Sequence, residues 1–241
     1  MTRFSDSESV QERLAETGAE RGAVPFCSDD HRGDDASTKG NSPPVNPFAT
    51  RYVRPGAIPF LFPRSVDATR LVARLRDFGW RGAIIGPHGS GKSTLLESLR
   101  PELHRVGRRI VSAGLHDGER SLPRAFLDSQ PWNPGTVLVV DGYEQLSVWN
   151  RWRLERHCRR DGCGLLVTSH HPTRLPELYR TGASCELLEL VVEYLLEDNW
   201  KLISSADVRR AHSFHGENVR EALFALYDLH EIRSRMELAR L

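Results

Sequence analysis

Lysine is scarce in this 241-residue chain: Lys39, Lys92 and Lys201 are the only ones among 33 basic residues. Positive charge is otherwise arginine, so each lysine marks a place where a compact ammonium stands instead of a planar guanidinium. No apolar run approaches the roughly 20 residues that span a bilayer. The first residues are polar and acidic and do not resemble a secretory signal. The expectation is a cytoplasmic protein with no membrane role. The net charge of +1 provides no whole-molecule field toward nucleic acid or anionic surfaces, so a nucleic-acid partner is not supported. The four cysteines, Cys27, Cys158, Cys163 and Cys185, form no C-x-x-C pair and read as reduced thiols. His157, Cys158 and Cys163 fit no common zinc spacing.

What is present is an ordinary globular balance, 39% hydrophobic and 27% charged, unevenly distributed. Residues 1–46 are rich in Ser, Asp, Glu and Gly and poor in aliphatics. Such a segment buries too little apolar surface to offset its ordering entropy, and a disordered tail is expected, with at most a short helix at 8–16. The run Ser42-Pro43-Pro44-Val45-Asn46-Pro47 reads as a stiff hinge. Residues 47–79 then combine an irregular aromatic arm (Phe48, Tyr52, Phe60, Phe62) with a lead-in helix at 65–78. The arm has enough aromatic area either to pack over a core or to help cover a bound base.

From residue 80 the pattern alternates. Short apolar strands are expected at 82–85, 110–115, 136–140, 164–168 and 185–191, with helices between them at 92–105, 122–127 and 148–160. Pro101 should kink or end the first of these helices. Strands alternating with helices predict an α/β fold: a parallel five-stranded sheet over 80–192 with helices on both faces. Three helical stretches, 193–203, 206–213 and 218–235, follow and read as a small lid-like subdomain over 193–241.

Between the first strand and its helix lies Gly86-Pro87-His88-Gly89-Ser90-Gly91-Lys92-Ser93. Small residues let consecutive backbone N–H groups turn inward as an anion cradle. The loop enters a helix N-terminus, whose free N–H groups and dipole favour negative charge. Lys92 can reach phosphate oxygens, Ser93 offers a hydroxyl to Mg2+, and Thr94 is expected at the α-phosphate. A chance match to this pattern in a chain of this composition has a frequency of about two in a thousand. The segment resembles the Walker A motif of the P-loop NTPases, which implies ATP and Mg2+ as ligands.

Val137-Leu138-Val139-Val140-Asp141 resembles the Walker B strand of the same proteins, which implies a Mg2+ role for Asp141 beside Ser93. Many relatives carry Glu directly after this Asp, whereas here Gly142 follows. Glu144 is the nearest carboxylate. It is either carried back by the turn to orient a water or is a solvated helix-start residue. Leu166-Val167-Thr168-Ser169-His170 ends a strand in polar residues, and Thr168 and Ser169 are candidates for the residue that senses the γ-phosphate, with His170 a third. The N-K-x-D guanine motif and the L-S-G-G-Q transporter signature are both absent. The strand intervening between the phosphate loop and Asp141 suits the additional-strand class, which includes the AAA+ ATPases. Gly216 to Leu223 resembles their sensor 2 region, with Arg220 as the residue directed at nucleotide.

The leading expectation is an AAA+-like ATPase that drives a conformational cycle, with a homo-oligomer or protein partner possible by family analogy. The alternatives are a slow or non-hydrolysing nucleotide-dependent switch, suggested by Gly142, and a P-loop small-molecule kinase. Arg174 and Arg180 are candidate arginine fingers. The basic, Trp-bearing helix at 148–160 is either a solvated face or a contact surface.

Overall fold

A computed structural model describes residues 46–240 apart from Arg64, Asp117, Ser129, Asp198 and Asn199. The expected tail, its short helix at 8–16 and most of the hinge lie outside the described residues. In chain order the elements are α1 (Thr50–Val53), α2 (Ala68–Asp77), β1 (Arg81–Ile85), α3 (Lys92–Arg105), β2 (Arg109–Gly114), α4 (Arg124–Asp128) and β3 (Thr136–Asp141). A 3-10 turn (Tyr143–Gln145), α5 (Val148–Asp161), β4 (Gly164–Ser169), β5 (Glu177–Arg180), α6 (Cys185–Leu196), α7 (Ser205–His215) and α8 (Val219–Leu238) complete the described chain.

The five strands make one sheet in the order β2-β3-β4-β1-β5, and every pairing is parallel. β3 and β4 lie inside the sheet, which explains their unbroken apolar runs. Alternate side chains divide the core. Ala83, Ile85, Leu138, Val140, Leu165 and Val167 pack with Leu154 and Cys158 of α5 on one face. Ile84, Val137, Val139 and Leu166 pack with Leu71 and Leu75 of α2 and Leu95 and Leu99 of α3 on the other. The carboxyl ends of β1, β3 and β4 therefore open onto one edge, the usual place for ligands in such sheets.

Three sequence expectations are corrected. The fifth strand is Glu177–Arg180, and residues 185–191 are helical. Ser184 caps α6 by accepting from Leu187 N, and Leu188, Val191 and Val192 recur at helical spacing into a helical cluster. Only Leu178 of β5 is buried, so that strand carries almost no apolar signal. The helix expected over 193–203 ends at Leu196, and buried Ile203 lies in coil. Helix α3 also continues through Pro101 to Arg105, with Leu99 and Leu103 buried on either side of the proline. The two core contacts outweigh the hydrogen bond that proline removes.

Helices α6, α7 and α8 form their own cluster, completed by Phe48 and Ile58 from the arm. Asn46 donates to Tyr227 O at 3.0 Å and to Glu231 at 2.9 Å, fixing the start of the arm on α8. Asp207 joins α7 to α8: it accepts from Ser204 N in a capping box and receives a two-pronged bond from Arg233. Arg233 and Ser204 hold its carboxyl well below the usual carboxylate range. We expect Asp207→Ala to cost roughly 1–3 kcal/mol in chemical denaturation. Because the folded pKa is depressed, this contribution is full above the unfolded value near 3.8 and is lost as pH falls below it. Equal stability of wild type and variant at pH 7 would contradict the assignment.

Candidate functional site

The loop after β1 is fixed by close backbone contacts. Gly86 N donates to Ser169 O at 3.1 Å, tying the loop to β4. A Cβ on Gly86 would lie 2.1 Å from Thr181 Oγ1, so no other residue fits there unless the strands part. Gly89 has φ +67 and faces Asn218, the N-cap of α8, at a distance that leaves no room for a side chain. Ser90 Oγ bonds Pro87 O at 2.8 Å and Thr181 Oγ1 at 2.6 Å. Gly91, at φ +90, turns the chain into α3, whose N-terminus carries no side-chain cap. The first-turn N–H groups of α3 are thus available to an anion.

Lys92 is 8% exposed and its Nζ donates to Gly86 O at 2.8 Å and Pro87 O at 2.6 Å. Burial pulls its pKa down, opposed by Glu144 and Asp141 and assisted by Arg220. Beside it, Ser93 Oγ donates to Asp141 Oδ2 at 2.7 Å. The other oxygen, Oδ1, accepts from Thr168 Oγ1 at 2.5 Å, and Thr168 Oγ1 accepts in turn from Gly142 N at 2.9 Å. One chain of hydrogen bonds therefore links α3, β3 and β4 around the Asp141 carboxylate.

A five-stranded parallel sheet in this order, with the 86–93 loop between β1 and α3 and Asp141 at the end of β3, decides the fold. This is the P-loop NTPase fold. No protein-family model matches the chain, and no curated protein matches it. Among solved structures the chain is similar to the Walker-type ATPase PABY2304 of Pyrococcus abyssi, with 10% identity over 71% of each chain and a TM-score of 0.49. It is also similar to PCH-2 of C. elegans, with 13% identity over 69% of this chain and 66% of that one, just under two thirds, and a TM-score of 0.35.

In this P-loop NTPase fold the turn after Asp141 is tight. Gly142 has φ +83, and a Cβ there would meet Leu115 O at 2.7 Å. The tight turn brings Glu144 back over the loop, and Arg151 steadies it by donating to Glu144 O and Leu146 O. Glu144 Oε1 lies 3.0 Å from His170 Nε2, while Oε2 is buried with no hydrogen-bond partner among the described residues. His170 also reaches Lys92 Nζ with Nδ1 at 3.1 Å and stacks on His88, with ring centroids 3.5 Å apart. Burial and the Lys92 ammonium hold its pKa below the ordinary histidine value.

A cleft of about 710 Å³ runs along this edge. Its polar end is lined by His88 to Thr94, Asp141, Glu144, Thr168, His170 and Arg220. Its apolar end lies between arm residues Ile58, Phe60 and Leu61 and helix residues Leu187, Val191, Val219 and Leu223. The arm packs on the core as one of its two readings has it: Phe48 and Ile58 enter the helical cluster, while Phe60 lines the cleft, held by its N–H to Ser98 Oγ at 3.0 Å.

Of the sequence candidates, Ser169 is not brought to the cleft: its Oγ accepts from His171 N and its side chain is buried elsewhere. Gly86 and Pro87 sit behind the lining and contribute carbonyls to Lys92. Arg174 is exposed, and Arg180 pairs with Glu177, so neither lines the cleft. Thr181 and Asn218 were not legible, because each acts by packing against a glycine from a distant part of the chain. Among the described residues no helix is long and apolar enough to cross a membrane, and no His/Cys/Asp/Glu cluster is built to hold a metal on protein groups alone. Ser93 and Asp141 together provide two hard oxygens, which suits Mg2+ completed by water and phosphate.

Gly142 tests the turn. We expect Gly142→Ala to cost roughly 1–3 kcal/mol in thermal or chemical unfolding, from the left-handed backbone and the Leu115 clash. An unchanged midpoint would mean that the turn relaxes freely and does not fix Glu144.

Proposed function

We propose that this chain binds ATP with Mg2+ in the cleft and hydrolyses it to ADP and phosphate. The observation that carries this is a single one: Lys92, the hydrogen-bonded Ser93–Asp141 pair and Glu144 line one cleft beside the glycine-rich loop. The apolar lining of the cleft offers Phe60, Leu61 and Val219 to a planar base, which supports a nucleotide as ligand.

In this reading the N–H groups of the loop and of α3 hold the phosphates. Lys92 exchanges its bonds to Gly86 O and Pro87 O for β- and γ-phosphate oxygens. Ser93 and Asp141 would hold Mg2+, which supplies charge neutralisation at the phosphates. Thr168 keeps the Asp141 carboxylate oriented through Oδ1, and we read it as the γ-phosphate sensor. Glu144 accepts a hydrogen bond from the attacking water and orients it, since phosphoryl transfer depends mainly on positioning and charge. Arg220 reaches the phosphates from α8, so that phosphate loss changes the hold between the helical unit and the sheet. We read the helical unit as the moving part of an AAA+-like cycle. Asn218 against Gly89 is the contact through which loop and helical unit meet.

Gly142, standing where many relatives have a glutamate, keeps a second reading in view: a switch that binds ATP and releases phosphate slowly. Binding and phosphate release followed together with γ-labelled ATP separate the two. We expect Lys92→Ala to lose at least about tenfold in ATP affinity and essentially all release. Glu144→Gln should bind as wild type does and slow single-turnover release by roughly 100-fold. Release by wild type as slow as that of Glu144→Gln would leave Glu144 without a catalytic role and favour the switch. Absence of ATP binding by wild type would end both.

A further inference from the structure

His170 lies outside the Walker motifs, yet its ring touches the site on three sides. Nε2 is 3.0 Å from Glu144 Oε1, Nδ1 is 3.1 Å from both Lys92 Nζ and Gly86 O, and the ring face lies on His88. An ammonium has protons and no lone pair, so Nδ1 must present its lone pair to Lys92. Gly86 O is already the acceptor of a 2.8 Å bond from the same ammonium and does not require a proton on Nδ1. The imidazole proton therefore sits on Nε2, where it is donated to Glu144 Oε1. One oxygen of Glu144 is held in this way and the other, Oε2, is buried with no hydrogen-bond partner among the described residues.

We propose that His170 is a positioning residue: Lys92 selects its Nε2–H tautomer, and that proton holds Glu144 Oε1, which fixes the carboxylate that orients the reacting water. This rests on the reading of Glu144 as the water-orienting carboxylate. It also accounts for how a glutamate three residues beyond the Walker aspartate can be held firmly. A carboxylate on a short turn has free side-chain torsions, and a second anchor removes that freedom. The stacked His88 packs on the face of the ring, with centroids 3.5 Å apart.

Replacement amides separate a positioning role from a structural one. Gln at 170 carries its amide near the place of Nε2, and Asn carries its own near Nδ1, short of Glu144. We expect His170→Ala and His170→Asn to lower kcat by about 10- to 100-fold with KM for ATP within about threefold, and His170→Gln to recover most of the loss. In a Glu144→Gln background, His170→Ala should lower kcat no further. Long-range 1H–15N NMR on the full chain should find His170 as the Nε2–H tautomer, and Glu144→Gln should shift that proton.

An Nδ1–H tautomer, equal activity of the Asn and Gln variants, or the same kcat loss in both backgrounds would overturn the proposal. If wild type bound ATP without releasing phosphate, the hydrolytic reading would fall by itself. The tautomer and its response to Glu144→Gln would still decide whether His170 holds Glu144.

Discussion

Gly86 N donates to Ser169 O while its α-carbon packs against Thr181, so the phosphate loop leaves β1 pinned between β4 and the segment after β5. Everything downstream depends on that pin. Ser90 closes the loop onto Thr181, Gly91 turns the chain, and α3 begins with its free N–H groups facing the cleft. Lys92 and Ser93 then stand at fixed distances from the ends of β3 and β4. A side chain at residue 86 would force the strands apart and take the cradle, the Asp141 network and the Glu144 anchor with it.

The polar end of the cleft is a balance of opposite charges in a confined space. Lys92, Arg220 and the helix N-terminus favour an anion, while Asp141 and Glu144 keep the buried ammonium charged against the desolvation that lowers its pKa. An arriving polyphosphate offers Lys92 better partners than two backbone carbonyls. The apolar end is built from two sources, the arm and the helical unit, and Asn46 and Phe48 fasten that arm to α8. Under the proposed function, a base held there would touch the helical unit while its phosphates touched the sheet, coupling ligand occupancy to the relation between the two.

The phosphate loop and the two inner strands were legible because local chemistry dictates them. Gly86, Gly89 and Gly91 are required by contacts or left-handed backbone, and β3 and β4 advertise burial on both faces through unbroken apolar runs. The edge strand Glu177–Arg180 was not legible, since one buried leucine among polar residues carries no period. Residues 185–191 misled for the opposite reason: an apolar run that short fits a strand or a helix, and only the Ser184 cap and the distant packing of Leu188 and Val192 decide it. In the site, the turn at Gly142 was readable as a means of returning Glu144. The partner that holds Glu144 was not, because His170 arrives from another strand and its role follows from a tautomer that Lys92 selects.

The central claim is that the cleft is a MgATP site assembled from both the sheet and the helical unit. A crystal structure with Mg2+ and a non-hydrolysable ATP analogue tests it most directly. The account predicts that Lys92 Nζ leaves Gly86 O and Pro87 O for the β- and γ-phosphates, with the metal at Ser93 and Asp141. It also predicts adenine between Phe60 and Val219, and Glu144 still held by His170. A nucleotide bound outside this cleft, or phosphates in the loop with Lys92 still on the carbonyls, would contradict it.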